Sequence, residues 1–509
     1  MKKTGAEGAK LGAKLWTSLI IFGFFGQVAW IVENMYFNVF IDRTMPLSDN
    51  RFSSVAISVM VAASAITATA ATLIGGIWSD RKGNRRRFIS FGYIIWGIII
   101  MSFSLITVDN FVALGIKSVS AATIAAIVTV VIMDCVMSYV GSTANDAAFN
   151  AWVTDNTAGP KRGVVEGVIA IMPILAMAAV FGGMDRMTQD TYLSPAGEEV
   201  TGWIAGGTKI ATGNWTLFYI LLGSIVTVVG IVGIFTIRDN PALKPNPSSD
   251  YRDIIYGFRK EVIKANKNLY LAYTAMGIVG IANNSFMSYL IMYAERTLEY
   301  PNGSYILPVA VIIVTSATAS VVFGIFMAKM KDRRKLNLPL LGIYFVGAIG
   351  MLLASPLCFE GQTPMAAVCA AGFVLMGANL CISANLTATV RDLTPPDKTG
   401  MFQGIRMVFW VLIPMVIGPA LTAIIQQFSE PSGSFDMNGN PIYNYTPYMF
   451  LIAAVIALFA VIPVILLNRA KLREMTPFAA CGSDPDGSAE TSADDAAALS
   501  EPADENKNA

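Results

Sequence analysis

Long apolar runs, separated by short polar stretches, dominate this chain of 509 residues. Each run is roughly 20 residues long, which is the length that an α-helix needs to cross a hydrocarbon core of about 30 Å. The pattern therefore predicts an all-α integral membrane protein with twelve transmembrane helices. In chain order, the predicted spans cover residues 15–41, 52–79, 87–107, 119–151, 163–183, 214–237, 268–293, 305–328, 338–355, 365–390, 402–426 and 447–468.

The composition agrees with a membrane protein and argues against an ordinary soluble enzyme. Hydrophobic residues make up 54% of the chain and charged residues only 14%, whereas soluble proteins carry about 25% charged residues. The first apolar run contains Glu33 and Asn34, is too long for a signal peptide and has no small-residue cleavage site after it. We expect this first span to remain in the protein.

Basic residues are concentrated in alternate loops. With the N-terminus placed inside, thirty of the 36 Lys and Arg residues fall in inside loops and tails, and six fall outside. Lys and Arg next to membrane spans are retained on the cytoplasmic side. The distribution therefore predicts a multi-pass protein of the cytoplasmic membrane, embedded in the lipid bilayer with both termini in the cytoplasm.

The longest inside connection separates the twelve spans into six and six. Its sequence contains NPALKPNPSSD, which is typical of a linker. The end of the chain is rich in Asp, Glu, Ser and Ala, a composition that predicts disorder. The predicted divisions are an N-terminal cytoplasmic tail (1–14), an N-terminal six-helix half (15–237), a cytoplasmic linker (238–267), a C-terminal six-helix half (268–468) and an acidic disordered cytoplasmic tail (469–509).

Two repeated segments indicate that the halves are related. DNTAGPKRGVVEG begins at Asp155 and DLTPPDKTGMFQG begins at Asp392, with Thr, Lys and two Gly residues at the same offsets. Those glycines are Gly163, Gly167, Gly400 and Gly404. Spans one and seven also align, so that Asp42-Arg43 corresponds to Glu295-Arg296 after one gap. Repeats of the same topology are typical of transporters that bind their substrate at mid-depth between the halves.

The loop between spans two and three carries the sequence GGIWSDRKGNRRRF. It resembles the signature of the major facilitator superfamily, Gly-x-x-x-Asp-Arg-x-Gly-x-Arg-Arg, at every fixed position. The equivalent loop of the second half keeps Asp332 and Arg333 but lacks the glycines. The resemblance implies the major facilitator fold, with two six-helix halves that rock about a central site. The matching residues are Gly76, Asp80, Arg81, Gly83, Arg85 and Arg86.

The resemblance also implies a gate on the cytoplasmic side. Asp80 should face the first glycines of span eleven, and Asp332 the first glycines of span five, each latching that side while the outside is open. A carboxylate at a helix N-terminus is favourable by about 0.3–1 kcal/mol. Asp155 and Asp392 lie in the same turns and belong to the predicted gate. The alternative is that all these residues only cap and end helices.

Amide and aromatic side chains inside the spans are candidates for binding a solute. Polar groups in lipid normally face a cavity or a partner, because burying them in hydrocarbon is costly. Amides and tryptophans would suit the hydroxyl array and ring face of a sugar, although any of them could instead form an interhelical hydrogen bond. The candidates are Gln27, Trp30, Asn34, Asn38, Asn145, Asn283, Asn284, Asn379 and Trp410.

Asp134 and Glu33 are candidates for coupling transport to an ion. Asp134 lies deep in span four with no basic residue nearby in the sequence, and Glu33 lies in span one. Burial without a basic partner favours the protonated carboxyl, which suits the uptake and release of a proton. The chain has no histidine, and its five cysteines show no metal-binding spacing. We therefore predict no metal site and no cofactor.

Within the superfamily, the chain most resembles the glycoside-pentoside-hexuronide:cation symporters and sucrose-type sugar permeases. The resemblance rests on SDRKGNRRRF, NDAAFNAWVTD, RDLTPPDKTGMFQGIRM and Asp134. It implies symport of a sugar or glycoside by a monomer, with no nucleic-acid partner. Span two has no aspartate pair of the kind found in the sodium-coupled members, so a proton is favoured over sodium as the coupling ion.

Three other functions are possible. An efflux antiporter for drugs or metabolites would share the fold, but span five lacks the Gly-Pro-x-x-Gly-Gly element of such proteins. A nutrient sensor could keep the fold without transporting anything. A membrane enzyme is disfavoured because the sequence shows no catalytic cluster of His, Cys–His or phosphate-binding residues.

Overall fold

The computed structural model describes most of the two predicted halves. The described residues are 12–45, 47, 49, 51–157, 162–240, 256–300, 304–328, 330, 332–359, 363–395 and 399–470. The side chains of residues 80, 162–164, 166, 167, 170, 328, 399–401 and 403 are not described. Most of the predicted N-terminal tail, the central part of the linker and nearly all of the predicted acidic tail therefore lie outside the described residues.

All twelve apolar runs form helices in the described part of the chain. They are α1 Ala13–Thr44, α2 Arg51–Lys82, α3 Arg85–Leu105, α4 Val119–Asn156, α5 Arg162–Gly183, α6 Trp215–Thr236, α7 Lys267–Met287 continued by Leu290–Thr297, α8 Ile306–Ala328, α9 Arg333–Leu353, α10 Met365–Leu393, α11 Thr399–Met407 continued by Val408–Leu412 and Ile413–Gln426, and α12 Tyr448–Arg469.

Length and composition support the membrane assignment of these helices. Ten of the described helices are long and apolar enough to cross a membrane, and α7 adds an eleventh when its two segments, which meet at 44°, are taken as one span. Helix α5 has 22 residues, and its apolar part, Ile171–Gly183, is shorter. The predicted all-α membrane fold of two six-helix halves is confirmed.

Small residues allow the helices to pack closely within each half. A Cβ atom added at Gly97 of α3 would lie 2.3 Å from Thr227 Oγ1 and 2.5 Å from the Gly223 carbonyl oxygen of α6. In the C-terminal half, a Cβ at Gly347 of α9 would lie 2.5 Å from the Leu375 nitrogen of α10. Such close backbone approach is a main source of helix association in membranes, where lipid removes the hydrophobic driving force.

The two halves meet along equivalent pairs of helices. Helix α2 of the first half packs against α11 of the second, and α8 packs against α5. Because α2 corresponds to α8 and α5 to α11 in the duplicated order, the two contacts are related by the internal symmetry. This arrangement is the one expected for halves that rock against each other.

Four helices contain π-helical turns that the apolar pattern did not predict. These turns are Val32–Tyr36 in α1, Ser142–Phe149 in α4, Tyr293–Thr297 in α7 and Val408–Leu412 in α11. A π-turn inserts one residue into a helix and re-aims the side chains beside it, which is why such turns are frequent at functional sites. The first two turns carry Glu33 and Asn145.

The all-α prediction missed a small β-sheet, which joins the two halves on one side of the helices. Its strand order is β2-β1-β3-β4-β5, and β3 pairs with β4 in parallel through Thr208 and Phe435. The strands are β1 Thr191–Leu193, β2 Glu199–Thr201 and β3 Thr208–Ala211 between α5 and α6, and β4 Pro431–Phe435 and β5 Pro441–Tyr443 between α11 and α12. We call this side of the molecule the sheet side.

Candidate functional site

A cluster of two carboxyl groups and two hydroxyl groups lies inside the N-terminal half. Glu33 is 4% exposed on the π-turn of α1, and Asp134 is 1% exposed on α4. The Ser64 hydroxyl of α2 lies 2.9 Å from Glu33 Oε1, and the Ser138 hydroxyl of α4 lies 2.6 Å from the same oxygen. The two hydroxyl oxygens are 2.7 Å apart. We call these four residues the carboxyl cluster.

The geometry of the carboxyl cluster favours a proton on Glu33. Its three close oxygen–oxygen contacts form a triangle between Glu33 Oε1, Ser64 Oγ and Ser138 Oγ. Two hydroxyl protons can satisfy only two of those contacts, because each hydroxyl donates once. A proton on Glu33 Oε1 supplies the third donor and removes the repulsion between lone pairs.

No basic side chain neutralises the cluster in the described part of the chain. The ion pairs formed among the described residues do not include Glu33 or Asp134. Glu33 Oε2 and Asp134 Oδ1 are buried without a hydrogen-bond partner. An unpaired buried charge is far more costly than a neutral carboxyl group, so the site is chemically suited to hold protons.

Two tryptophans next to the cluster have free donors. The rings of Trp30 in α1 and Trp96 in α3 lie 5.3 Å apart, and the Nε1 atom of each is buried without a hydrogen-bond partner. Helix α4 packs close to the Trp96 ring because residue 141 is glycine: a Cβ atom added there would lie 2.9 Å from the ring. Two indole N–H groups without acceptors can donate to hydroxyl groups of a solute.

The predicted amides of the N-terminal half have different surroundings. Asn145 Oδ1 accepts a hydrogen bond of 2.9 Å from the Tyr93 hydroxyl, which supports the interhelical alternative for this residue. Asn38 donates to the Ser288 carbonyl oxygen of α7 at 3.0 Å and therefore joins the two halves. Asn34 is exposed and donates to the Trp30 carbonyl oxygen. Gln27 is half-buried.

The predicted residues of the C-terminal half are less closely connected. Asn284 donates to the Gly280 carbonyl oxygen of its own helix at 3.0 Å. Asn283 Oδ1 and Asn379 Oδ1 are buried without a hydrogen-bond partner, and Trp410 is half-buried. Within the described residues, no hydrogen bond or ring contact joins Asn283, Asn379 and Trp410 to one another. Their common role in binding a solute stays a prediction.

Two reciprocal ion pairs close the sheet side. Asp42 pairs with Arg296, and Arg43 pairs with Glu295 at 2.5 Å, so that each half supplies one acid and one arginine. All four residues are at most 9% exposed. The Tyr445 hydroxyl donates to Asp42 Oδ1 at 2.9 Å, beneath the sheet. The alignment of Asp42-Arg43 with Glu295-Arg296 in the sequence carries this signal, but it does not show that the two dipeptides meet.

Further contacts extend this closure between the halves. Asp185 accepts hydrogen bonds of 2.8 Å from the hydroxyls of Tyr36 in α1 and of Tyr305, which immediately precedes α8. At the rim, Arg51 donates to the carbonyl oxygen of Gln427, which immediately follows α11, at 3.0 Å. A side-chain hydrogen bond from Arg51 lowers the pKa of Asp49, which lies in the loop before α2. The sheet side of the molecule is therefore shut.

The predicted gate on the opposite side contains ion pairs within each half. Arg85 at the start of α3 pairs with Asp155 at the end of α4 at 3.1 Å. In the second half, Arg333 at the start of α9 pairs with Asp392 at the end of α10. These equivalent pairs connect neighbouring helices of one half. Asp155 and Asp392 thus each pair with an arginine in this state, in which the sheet side is closed.

The remaining gate residues are described in part. Asp332 accepts from Arg334 Nε at 2.9 Å, so its carboxylate lies on its own half in this state. Gly83 has a φ of 58°, a left-handed conformation that favours glycine and explains its place in the signature loop. Gly76 packs near Ala147, Arg81 is exposed, Arg86 donates its backbone N–H to Asp239, and Gly404 is buried.

The predicted contact partners across the two halves lie partly outside the described residues. These are the side chain of Asp80 and the side-chain environments of Gly163, Gly167 and Gly400. The structure has a closed sheet side, and the latch was predicted for a state in which the outside is open. The latch between Asp80 and α11, and between Asp332 and α5, therefore stays a prediction.

Comparison with known proteins supports the superfamily. A model of the Major Facilitator Superfamily matches residues 194–385. No curated protein matches the chain by sequence. Among solved structures, a bacterial homologue of the human lysosomal transporter Spinster, inward-facing and occupied, is 12% identical with a TM-score of 0.63, and the match covers 93% of this chain and 100% of that one.

Two further solved structures share the fold. A D-xylose–proton symporter is 13% identical, with a TM-score of 0.61 and coverage of 91% of this chain and 97% of that one. A nucleoside transporter is 10% identical, with a TM-score of 0.59 and coverage of 89% and 99%. Identities this low show a common fold and do not distinguish branches. The chain is therefore a multi-pass membrane protein with the major facilitator fold, and its residues 194–385 are similar to the Major Facilitator Superfamily.

Proposed function

We propose that the protein is a secondary active transporter that moves a small polar solute, a sugar or glycoside, together with protons by alternating access. The observation that carries the proposal is the carboxyl cluster, where two buried carboxyl groups have no basic partner among the described residues. A structural ion pair would not need this arrangement. A group that binds and releases a proton in each transport cycle needs such a buried site without a basic partner.

The duplicated halves supply the conformational change. The reciprocal ion pairs and the sheet hold one side closed, and the glycine-rich turns at the other ends of α4–α5 and α10–α11 would close the opposite side. We assign the sheet side to the exterior of the cell, from the distribution of basic residues. In this assignment both termini are cytoplasmic, and the structure corresponds to a state closed to the outside.

The choice of solute rests on buried donors and acceptors without a partner in the two halves. Trp30 and Trp96 of the N-terminal half offer indole N–H groups, and Asn283 and Asn379 of the C-terminal half offer amide oxygens. Sugar hydroxyls donate and accept, and aromatic faces pack on sugar rings, so this set suits a sugar. One solved relative of the same fold is named as a D-xylose–proton symporter.

Uptake by the purified protein in liposomes tests the proposal. Labelled monosaccharides and glycosides should accumulate when the external side is acidic, and a sodium gradient alone should not drive accumulation. Glu33→Gln and Asp134→Asn should abolish accumulation driven by pH while solute exchange continues. The exposed carboxylate of Asp109, in a short helix between α3 and α4, provides the control variant Asp109→Asn, which should accumulate like the unmodified protein.

Four results would contradict parts of this proposal. Accumulation driven by sodium would assign the carboxyl cluster to a metal cation, because carboxylate and hydroxyl oxygens are ligands for hard cations. Unchanged pH-driven accumulation in both variants would remove the cluster from coupling. Export of cationic dyes without any sugar uptake would favour an efflux antiporter. Binding of sugar without transport in liposomes would favour a sensor.

A further inference from the structure

An apolar cavity opens between the two halves beside α5 and α8. It is lined mainly by side chains of α5, α7, α8 and α10, with Met35 of α1, Met351 of α9 and Phe450 of α12. Its empty volume is about 1020 Å³, including its open mouth. The lining residues Pro173 and Met177, near the middle of α5, and Ile313, on the half of α8 nearest the sheet side, are half-buried, so the cavity reaches the protein surface beside these two helices. The carboxyl cluster does not line it.

The lining of this cavity is apolar and pliable. Five methionines line it: Met35, Met177, Met287, Met351 and Met376. Methionine side chains are flexible and polarisable, so they adapt to apolar ligands of variable shape. An apolar cavity stays dry, and its lining loses dispersion contacts unless apolar atoms fill it. A flexible hydrocarbon would restore those contacts.

The position of the mouth indicates where such a hydrocarbon comes from. Leu175 of α5 and Val314 of α8 are 48% and 54% exposed, so the helices beside the mouth present apolar side chains outward. The outward faces of membrane helices are in contact with acyl chains. The cavity extends inward from these helices to Tyr293 of α7.

We propose that this cavity binds one acyl chain of a membrane phospholipid, which enters from the bilayer between α5 and α8. The chain fills a gap at one of the two contacts between the halves, and it is therefore a structural ligand of the state that is closed on the sheet side. This inference does not depend on the nature of the transported solute.

Photocrosslinking of the full-length protein in liposomes tests this inference. The probe is phosphatidylcholine with a diazirine in the middle of one acyl chain, and crosslinked residues are mapped by mass spectrometry of peptides. Crosslinks are expected on the residues of α5 and α8 that line the cavity, which are Pro173, Ile174, Met177, Pro308, Val309, Ile312, Ile313, Ser316 and Ala317. Ala317→Phe and, separately, Ile313→Phe should fill the cavity and reduce these crosslinks by roughly tenfold, because the added ring takes the dispersion contacts of the chain.

A matched variant distinguishes filling of the cavity from a general effect of a bulky residue. Val321 lies one turn after Ala317 on α8, does not line the cavity and is 57% exposed. Val321→Phe should leave the crosslinks inside the cavity unchanged. Undiminished crosslinking of the cavity in the folded Ile313→Phe or Ala317→Phe variants, or crosslinks confined to outward-facing residues such as Val314 and Val321, would overturn the proposal.

Discussion

At the scale of single residues, removing the indole N–H group of Trp30 distinguishes solute binding from proton binding. Trp30→Phe keeps an aromatic ring against Trp96 but removes one free donor. Loss of one hydrogen bond to a solute costs about 1 kcal/mol, which corresponds to a KM raised roughly fivefold. We expect this rise in uptake assays with labelled sugar, with the pH dependence of uptake unchanged.

Trp215 is the matched control for Trp30. Its Nε1 atom is also buried without a hydrogen-bond partner, but its ring packs against Phe40 and Tyr219 near the sheet side. Trp215→Phe should therefore leave the KM for sugar unchanged. A KM raised equally by both substitutions would point to a general effect on folding and would remove Trp30 from the solute site.

The signature glycine Gly83 makes a second prediction at the residue scale. Its φ of 58° is in the left-handed region, where an L-residue with a Cβ atom is disfavoured by about 1 kcal/mol. Gly83→Ala should lower the melting temperature of the detergent-solubilised protein. Gly182, which lies in α5 with open space around its Cβ position, should tolerate the same change, and an equal loss at both positions would contradict the argument from backbone conformation.

At the scale of elements, the helices were predictable and the features that interrupt them were not. A run of about 20 apolar residues predicts a helix because lipid leaves the backbone no other hydrogen-bond partners. The π-turns at Val32–Tyr36 and Ser142–Phe149 arise from tertiary packing and leave no mark in the apolar pattern. The π-turns nevertheless affect which side chains of α1 and α4 reach the carboxyl cluster. The sequence therefore predicted only the two carboxyl groups of the cluster, Asp134 and Glu33, and not the two serines.

The sheet was missed although one local signal was present. Asn438-Gly439 lies in the hairpin between β4 and β5, and Gly439 has a φ of 78°, as the tight turn requires. The pairing of β3 with β4, however, joins residues more than two hundred positions apart. No local pattern encodes that contact, because it depends on how the two halves are docked.

The pairing between β3 and β4 predicts a reversible lock. Thr208 and Phe435 are direct partners across the halves, so Thr208→Cys with Phe435→Cys, in a protein without native cysteines, should form a disulfide under oxidation. The bond would hold the sheet side closed and stop sugar uptake, and a reducing agent should restore it. A disulfide between Leu193→Cys and Glu199→Cys, which are partners within one half, should leave uptake unchanged. Full uptake by the oxidised cross-half protein would mean that the sheet does not separate during transport.

At the scale of the whole molecule, the internal duplication links the sequence to the closed sheet side. Equivalent positions in two related halves lie on opposite sides of the pseudo-symmetry axis, so an acid–arginine dipeptide repeated in both can pair reciprocally. The pairs Asp42–Arg296 and Arg43–Glu295 follow this rule. The equivalence of the dipeptides was visible in the sequence. Their contact was not, because it exists only in the state that is closed on the sheet side.

Breaking one of these pairs should therefore shift the molecule toward a state open on the sheet side. Loss of one partner of a buried ion pair costs about 3–5 kcal/mol, whereas an exposed pair contributes about 0–1 kcal/mol. Arg43→Gln removes a side chain that is 2% exposed, and Arg51→Gln removes one that is 29% exposed and paired with Asp49. The first substitution should change the conformational equilibrium strongly. The second removes a half-exposed pair and the hydrogen bond of Arg51 to Gln427 at the rim, and should change the equilibrium much less.

The rate of labelling of a single cysteine measures this equilibrium. Gln27 lies on α1, deeper in the molecule than the ion pairs when viewed from the sheet side, and Gln27→Cys supplies the single cysteine. A membrane-impermeant thiol reagent added from the sheet side should reach this cysteine only when the ion pairs separate. Labelling should become faster with Arg43→Gln and stay slow with Arg51→Gln. Exchanging the charges, with Arg43→Glu and Glu295→Arg together, should return the rate toward its original value because the same pair is rebuilt in reverse. Slow labelling in Arg43→Gln would show that the sheet and the tyrosine hydrogen bonds to Asp185 hold this side closed without the ion pairs.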